Sequence, residues 1–358
     1  MKIAITADLH LHSNHPERRD ALEDILQQIN SEGISDLIIA GDLFDKDGED
    51  SAYQHFRDCC RTYPNIKFHV IPGNHDPEKS LRDIQEDNLF KYLELTLIDF
   101  DGVSMLFIPY RENISMGQEL LKKKQETGDN PWCFVGHGDF IDGRREINPH
   151  EKGIYMPLKR EDIQVPGLRR VFLGHIHKPT ELEKPIAGMV TYPGSPQGLD
   201  ISETGKRRFI IYDTKADEIS ERKVNCTHYF LDETIFVFPS FKEKDFLEME
   251  FKNRIEKSAI SKENLSNKTY IRLKVKGFTF DKESLVRSFC SFIEKESISL
   301  YEKKAPDFDE LFTATDQTKE KLAEKVLEKI NNCEWNFGDE EPSLEDVKMA
   351  AMRLIYKD

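Results

Sequence analysis

The chain predicts an α/β fold, on three observations. Short apolar runs of strand length alternate with segments of helical spacing over residues 1 to about 225. Five of these runs are followed at once by a turn that carries a metal-binding side chain. In α/β folds, polar groups and ligands collect outside the carboxyl ends of the strands. The runs are Ile3-Ala4-Ile5, Leu37-Ile38-Ile39-Ala40, Phe68-His69-Val70-Ile71, Cys133-Phe134-Val135 and Val171-Phe172-Leu173. The stretches after them are Asp8-Leu9-His10, Gly41-Asp42, Gly73-Asn74-His75-Asp76, Gly136-His137 and Gly174-His175-Ile176-His177.

The elements follow in order. Residues Glu17 to Asn30 place Leu22, Ile25, Leu26 and Ile29 at helical spacing. Leu37 to Ala40 reads as strand. Asp87 to Leu93 and Ser115 to Lys124 read as helices, and Val103 to Ile108, Met189 to Tyr192 and Arg207 to Tyr212 as strands. The character changes near Asn225, where the ligand-bearing turns stop. Thr234 to Phe238, Tyr270 to Val275 and Ile298 to Tyr301 are then expected as strands, with helices at Lys244 to Lys257 and Lys282 to Glu294. That is a small α+β domain. Thr318 to Asn331 spaces Leu322, Val326 and Ile330 four apart, and Ser343-Leu344-Glu345-Asp346 suits a capped helix start before Tyr356. These two amphipathic helices either fold back on their own domain or dock on a partner helix. The expected divisions are 1–225, 228–305 and 306–358.

Composition narrows the class. The chain has 358 residues, 38% apolar and 33% charged, with a net charge of −15. That length holds one large domain and one or two smaller ones. The acidic total is not that of a stand-alone DNA binder, although a local basic patch is compatible with it. No signal peptide or membrane span is expected. Cys59, Cys60, Cys133, Cys226, Cys290 and Cys333 form no C-x-x-C pair, which points to free thiols in a reducing cytoplasm.

The chemistry lies in the turns. Asp8 and His10 are two apart, as are His175 and His177, and in extended chain such side chains point the same way. Gly41 lets the backbone turn sharply and expose Asp42, whose two oxygens can bridge two cations. Asn74 adds an amide oxygen and His137 an imidazole. Two carboxylates, one amide and four histidines are too many for one cation and suit two. Mixed oxygen and imidazole donors fit Mn²⁺ best, with Fe²⁺ or Zn²⁺ as alternatives, over Ca²⁺. Two such cations about 3.5–4 Å apart can clamp a phosphate ester and activate a water. His75 is left over beside a ligand and suits the acid that protonates the departing oxygen. Asp76 either orients His75 or caps the turn that follows. His12, His15, His55, His69, His150 and His228 are read as surface or core residues, with substrate contact open for His12 and His15.

These motifs, in this order, resemble the calcineurin-like metallophosphoesterase superfamily over roughly residues 1–215. The resemblance implies two stacked sheets flanked by helices, an αββα sandwich. It implies one metal on Asp8, His10, Asp42 and His177, a second on Asp42, Asn74, His137 and His175, and His75 as the acid. Within the superfamily, Gly41-Asp42-Leu43-Phe44-Asp45 and Tyr192-Pro193-Gly194-Ser195-Pro196-Gln197-Gly198 are similar to the nuclease subunit of the bacterial SbcCD complex. The small domain and the terminal helices stand where that group carries a DNA-facing capping domain and a docking segment. The partners so implied are DNA, an SMC-like coiled-coil ATPase and a second copy of the chain, with no membrane.

The expected function is therefore a two-metal DNA nuclease working with an ATPase. Arg111, Arg144, Arg145 and Lys178, in loops after or near the motifs, are the candidates for phosphate contact. A stand-alone phosphatase or cyclic-nucleotide phosphodiesterase uses the same ligands but does not need the last 130 or so residues. The complete ligand set argues against a non-enzymatic scaffold.

Overall fold

The apolar runs become parallel strands in the computed structural model, which describes residues 1–46, 50–76, 78–127, 131–145, 153–225, 228–240, 242–258, 260–302, 305–335 and 343–356. The side chains of 78–80, 123–127, 144–145, 262 and 266–267 lie outside that set. The chain divides into two compact units, Met1–Leu199 with Lys206–His228, and Asp200–Gly205 with Tyr229–Asp358.

The first unit opens with β1 (Lys2–Thr6), α1 (Pro16–Ser31), β2 (Asp36–Ala40), α2 (Asp50–Thr62), β3 (Lys67–Ile71), α3 (Glu78–Asp83) and β4 (Leu89–Lys91). It continues with β5 (Thr96–Phe100), β6 (Val103–Phe107), α4 (Met116–Thr127), β7 (Trp132–His137), β8 (Phe140–Asp142), β9 (Arg144–Arg145) and β10 (Leu158–Lys159). β11 (Leu168–Gly174), β12 (Val190–Thr191), β13 (Arg208–Asp213) and β14 (Glu218–Lys223) complete it. Among the described residues one sheet runs β14-β13-β1-β2-β3-β4 and another β12-β11-β7-β6-β5, with a small sheet β10-β8-β9. β1 to β4 are mutually parallel, and so are β6, β7, β11 and β12.

Alternation builds the sandwich. Ile3, Ile5, Ile38, Ile210 and Tyr212 of the first sheet share one buried core with Met105, Phe107, Cys133, Val135 and Phe172 of the second. The other faces of β6, β7 and β11, through Leu106, Trp132, Phe134, Val171 and Leu173, pack with Met116 and Leu120 of α4. Both faces of these strands are covered, which is why they read as unbroken apolar runs. On the first sheet Phe56 of α2 meets Phe68 of β3 edge-on at 5.6 Å.

One sequence expectation fails here. Residues 87–93, read as a helix, contain the strand β4, and the helix lies earlier, at α3. Leu89, Phe90 and Lys91 pair with Phe68, His69 and Val70, so the sheet edge overrides a weak helical pattern.

His69 is a core histidine, with Nε2 at 3.0 Å from Asp36 Oδ1 and Nδ1 at 2.8 Å from the Tyr92 hydroxyl. Burial pushes the Asp36 carboxyl up, but the hydrogen bonds from His69 and Ser35 outweigh it and hold it below its usual value of 3.8. A lowered folded pKa contributes stability that is present above the unfolded value and lost as pH falls through the folded one. Asp36→Asn is therefore expected to lower the urea midpoint at pH 7 and to approach wild type at a pH well below the usual carboxylate value of 3.8. Equal midpoint differences at both pH values would contradict this.

The second unit holds β15 (Tyr229–Val237), α5 (Glu243–Lys257), α6 (Lys262–Lys268), β16 (Thr269–Thr279), α7 (Lys282–Lys295), β17 (Ser299–Leu300), β18 (Leu311–Thr313), α8 (Glu320–Asn332) and α9 (Leu344–Tyr356). β16 is the spine: it pairs in parallel with β15 along its length, with β17 near its start and with β18 near its end. Phe251 of α5 packs against Phe289 and Phe292 of α7. Residues 306–358, expected as a segment of their own, fall in this same unit. Ala323 of α8 and Met349, Met352 and Tyr356 of α9 share a core with Phe278 of β16. Of the two readings of these helices, folding back is realised on that face. Leu322, Trp335 and Leu354 stay exposed at 53%, 42% and 85%. Among the described residues no helix is long and apolar enough to cross a membrane.

Candidate metal centre

All seven expected ligands lie at the carboxyl ends of parallel strands of the sandwich. Asp8 and His10 follow β1, Asp42 follows β2, Asn74 follows β3, His137 ends β7, and His175 and His177 follow β11. The first two loops run side by side: Asp8 N donates to Gly41 O at 3.1 Å and His10 N to Asp42 O at 2.9 Å.

The backbone converges differently from the sequence argument. Asp8 and His10 are not extended; their φ values are 55° and 46°, and Asp42 and His175 sit at 51° and 94°. Four ligand residues thus occupy the left-handed region, where L-residues carry a steric penalty. Their side chains converge through these turns and not through strand periodicity. Gly41, at φ 86°, has a second reason to be glycine: a Cβ there would run into the His137 ring.

The donors form two groups that share Asp42. His10 Nε2 lies 3.2 Å from His177 Nε2, and Asp8, His10 and His177 offer atoms within 4.8 Å of one another. On the other side, Asn74 Oδ1 lies 2.9 Å from His137 Nε2 and 3.2 Å from His175 Nδ1. Asp42 Oδ2 stands between them, 3.6 Å from His10 Nε2 and 3.3 Å from His137 Nε2.

Electrostatics show that the site demands positive charge. Burial pushes the Asp8 carboxyl up to about 6 despite His177 and His137. Burial opposes ionisation of Asp42 too, but His137, by charge and hydrogen bond, and His10 outweigh it and hold that carboxyl low. Burial lowers the His10 imidazole to about 3. His137 resists its burial because Asp42 and Asp8 attract its proton, and it rises to about 9.

These residues fit a pair of divalent cations. Among the described residues Asp8 Oδ2 is buried with no hydrogen-bond partner, an acceptor that a cation would satisfy. His137 Nδ1 contacts the Ala40 carbonyl at 2.9 Å, and because a carbonyl only accepts, Nδ1 is the protonated nitrogen. That leaves Nε2 facing Asn74 Oδ1 and Asp42 Oδ2, two acceptors that a proton or a metal must reconcile.

Several supporting residues escaped the sequence reading. The carboxylate beside His75 is Asp45, with Oδ1 3.4 Å from His75 Nδ1. Asp76, expected at His75 or at a cap, turns the other way. It accepts from Phe44 N at 2.8 Å, Leu43 N at 3.2 Å and Gly73 N at 2.8 Å, and so locks the second loop to the third. Burial and Asp42 push its carboxyl up to about 7. His75 stands edge-on to His10 with ring centroids 4.8 Å apart, and its backbone N donates to Asp42 Oδ1 at 2.8 Å. Two buried arginines hold the carbonyls of two ligands: Arg18 reaches His10 O at 2.9 Å and Arg207 reaches His177 O at 3.0 Å. Arg18 also holds Asp45 Oδ2 at 3.0 Å. Asp139 Oδ2 lies 3.9 Å from His175 Nε2. Asp45, which closes the stretch Gly41-Asp42-Leu43-Phe44-Asp45, and Asp139, which closes the run Gly136-His137-Gly138-Asp139, left a sequence signal, though not one that shows these contacts.

The stretch Tyr192 to Gly198 braces the site. Ser195 N donates to His177 O at 3.1 Å, and the Tyr192 hydroxyl donates to Gly138 O at 3.0 Å. The candidate phosphate contacts fare unevenly. Arg111 pairs with the Glu94 carboxylate. Lys178 is exposed beside His177 and lines a cavity of about 200 Å³ with Glu181, Lys184 and Tyr192. Arg144 and Arg145 form β9, paired with Asp142 and Ile141, but their side chains lie outside the described residues, as does His150. His12 accepts from Asn14 N at 3.1 Å, and His15 contacts Glu17 at 2.9 Å.

The family model of the calcineurin-like phosphoesterases matches residues 1–179, half of the 358. The chain belongs to this family, and with it to the metallophosphoesterases, hydrolases that work with two metal ions. No curated protein matches the chain. Among solved structures it is similar to an archaeal phosphodiesterase, at 18% identity and a TM-score of 0.34 over 63% of this chain and 100% of that one. It is similar to a protein of Thermus thermophilus, at 15% identity and a TM-score of 0.43 over 63% and 99%. A dimetal phosphatase from Danio rerio follows, at 11% identity and a TM-score of 0.43 over 63% and 96%. None of the three is close enough to indicate a substrate.

Proposed function

We propose that the chain is a two-metal phosphodiesterase that cuts DNA, working as the nuclease subunit beside an SMC-like coiled-coil ATPase. The observation that carries phosphoester hydrolysis is the Asp42 carboxylate, shared between two groups of donors. Bound there, two divalent cations, Mn²⁺ foremost, supply a clamp for the phosphate and a water made acidic enough to attack. Asp8, His10, Asp42 and His177 are the residues for one, and Asp42, Asn74, His137 and His175 for the other. The chain does the rest. Arg18 and Arg207 fix the ligand loops, and Asp45 holds the imidazole of His75 so that it can pass a proton to the departing oxygen.

The choice of DNA rests on the Gly41 to Asp45 and Tyr192 to Gly198 stretches and on the second unit. The exposed Leu322 and Leu354 on α8 and α9 suit docking on a partner helix. The described free cysteines Cys59, Cys60, Cys133, Cys290 and Cys333 suit a reducing cytoplasm. A second copy of the chain is the remaining proposed partner.

Two observations favour a different substrate. The net charge of −15 and the engagement of Arg111 by Glu94 suit a small phosphoester better than a polyanion. The test is to incubate the Mn²⁺-loaded chain with single- and double-stranded DNA, bis-p-nitrophenyl phosphate, p-nitrophenyl phosphate and cyclic nucleotides. DNA cleavage that Asp42→Asn abolishes is the expected result. Turnover confined to the small esters would replace the nuclease with a stand-alone phosphodiesterase or phosphatase.

A further inference from the structure

A second set of metal-type donors lies outside the catalytic loops. His55 and Cys59 are four residues apart on α2, so their side chains leave the same helix face. Glu23 reaches them from α1. His55 Nε2 stands 3.3 Å from Cys59 Sγ and 3.6 Å from Glu23 Oε1, and donor atoms of all three residues lie within 4.8 Å of one another. We propose that Glu23, His55 and Cys59 form a zinc site that clamps α1 to α2.

The geometry can be compared with the ion. Zinc bond lengths in a tetrahedron put nitrogen about 3.6 Å from sulfur and about 3.4 Å from a carboxylate oxygen. The two observed separations from Nε2 fall close to both. The remaining edge, sulfur to oxygen, wants about 3.6 Å, and Glu23 is the partner free to adjust it, with a side chain 44% exposed. The donors are graded from inside to outside. Cys59 is 4% exposed and the His55 side chain 19%, so an ion enters past the glutamate and meets the sulfur last. A packing contact between a thiol and an imidazole four residues apart accounts for the first distance only. It does not account for a carboxylate from another helix converging on the same nitrogen.

The chemistry selects the metal. Thiolate and imidazole favour zinc over manganese, whereas the catalytic set contains no sulfur. Burial lowers the His55 imidazole, which keeps it neutral and able to coordinate. Burial, with Glu23 and Asp58, pushes the Cys59 thiol up to about 12. Zinc must therefore displace that proton, and its affinity rises with pH. The consequence is mechanical: α1 follows the loop of Asp8 and His10, and α2 follows the loop of Asp42 and Asp45. One ion ties together the helices behind two ligand loops.

The test uses the full chain, stripped of metal and titrated with Co²⁺ and with Zn²⁺. Wild type is compared with Cys59→Ser and Glu23→Gln, and Asp42→Asn serves as the catalytic-site control. A thiolate-to-cobalt charge-transfer band in the near ultraviolet is expected in wild type and in Asp42→Asn, and not in Cys59→Ser. Cys59→Ser should also bind one zinc fewer than wild type while keeping its phosphoesterase activity. No band in wild type at saturating cobalt, or an equal band in Cys59→Ser, overturns the proposal. If Cys59→Ser does not fold, Glu23→Gln decides: its cobalt affinity should fall by at least the ~10-fold that loss of even an outer partner causes. Unchanged affinity in that variant overturns the proposal as well.

Discussion

Asp42→Asn is expected to lower phosphoester hydrolysis by about three orders of magnitude, ~4 kcal/mol in the barrier, while the fold survives. The substitution keeps the shape of the side chain, and its Oδ1 can still accept from His75 N, as Asp42 Oδ1 does at 2.8 Å. What goes is the charge and the second oxygen donor between the two groups. Oδ2 faces His10 at 3.6 Å and His137 at 3.3 Å, so the change disturbs both cation positions and not one. Elemental analysis of the Mn²⁺-loaded chain should show manganese falling from two equivalents to one or none. Circular dichroism should be unchanged. Wild-type turnover in this variant would remove Asp42 from the centre of the reaction.

The second large effect belongs to His75 and depends on the ester used. A general acid contributes about 10²–10⁴-fold when the leaving group is a poor one. His75→Ala should therefore lose activity on that scale against alkyl esters such as DNA, and far less against p-nitrophenyl esters, whose leaving group needs no proton. The loss should appear in kcat, with KM little changed, because the interaction is made in the transition state. Asp45→Asn should show the same leaving-group pattern at smaller size, since Asp45 acts only by holding the imidazole, at 3.4 Å. Equal losses for both ester types would mean that His75 is needed for binding or for the metals and is not a proton donor.

The sandwich and its ligands were legible because fully covered parallel strands must be apolar throughout, as Cys133 to Val135 and Val171 to Leu173 are. Segments with weaker constraints were harder to read. β14 is an edge strand with no buried residue, Glu218 to Lys223, and it carries no apolar pattern. α2 passed unread although Ala52, Phe56, Cys59 and Cys60 do form a buried face. Residues 87–93 show the reverse error, a helical pattern overruled by pairing with β3. At the site, the ligands announced themselves by residue type after each strand. Their supports did not. Arg18, Asp45 and Arg207 act on residues 8 to 30 positions away in the chain or on backbone carbonyls, and nothing in local spacing encodes such a partner.

The left-handed residues Asp8, His10, Asp42 and His175 have a consequence for protein engineering. Each such conformation costs an L-residue about 1–2 kcal/mol. A glycine at any of the four would relax the backbone and remove the ligand, so thermal stability and metal affinity pull in opposite directions at these positions. Selection for heat resistance alone would drift toward an inert sandwich. The same torsions limit transplantation: Asp-x-His grafted onto an ordinary extended strand end would carry the right letters and aim them wrongly.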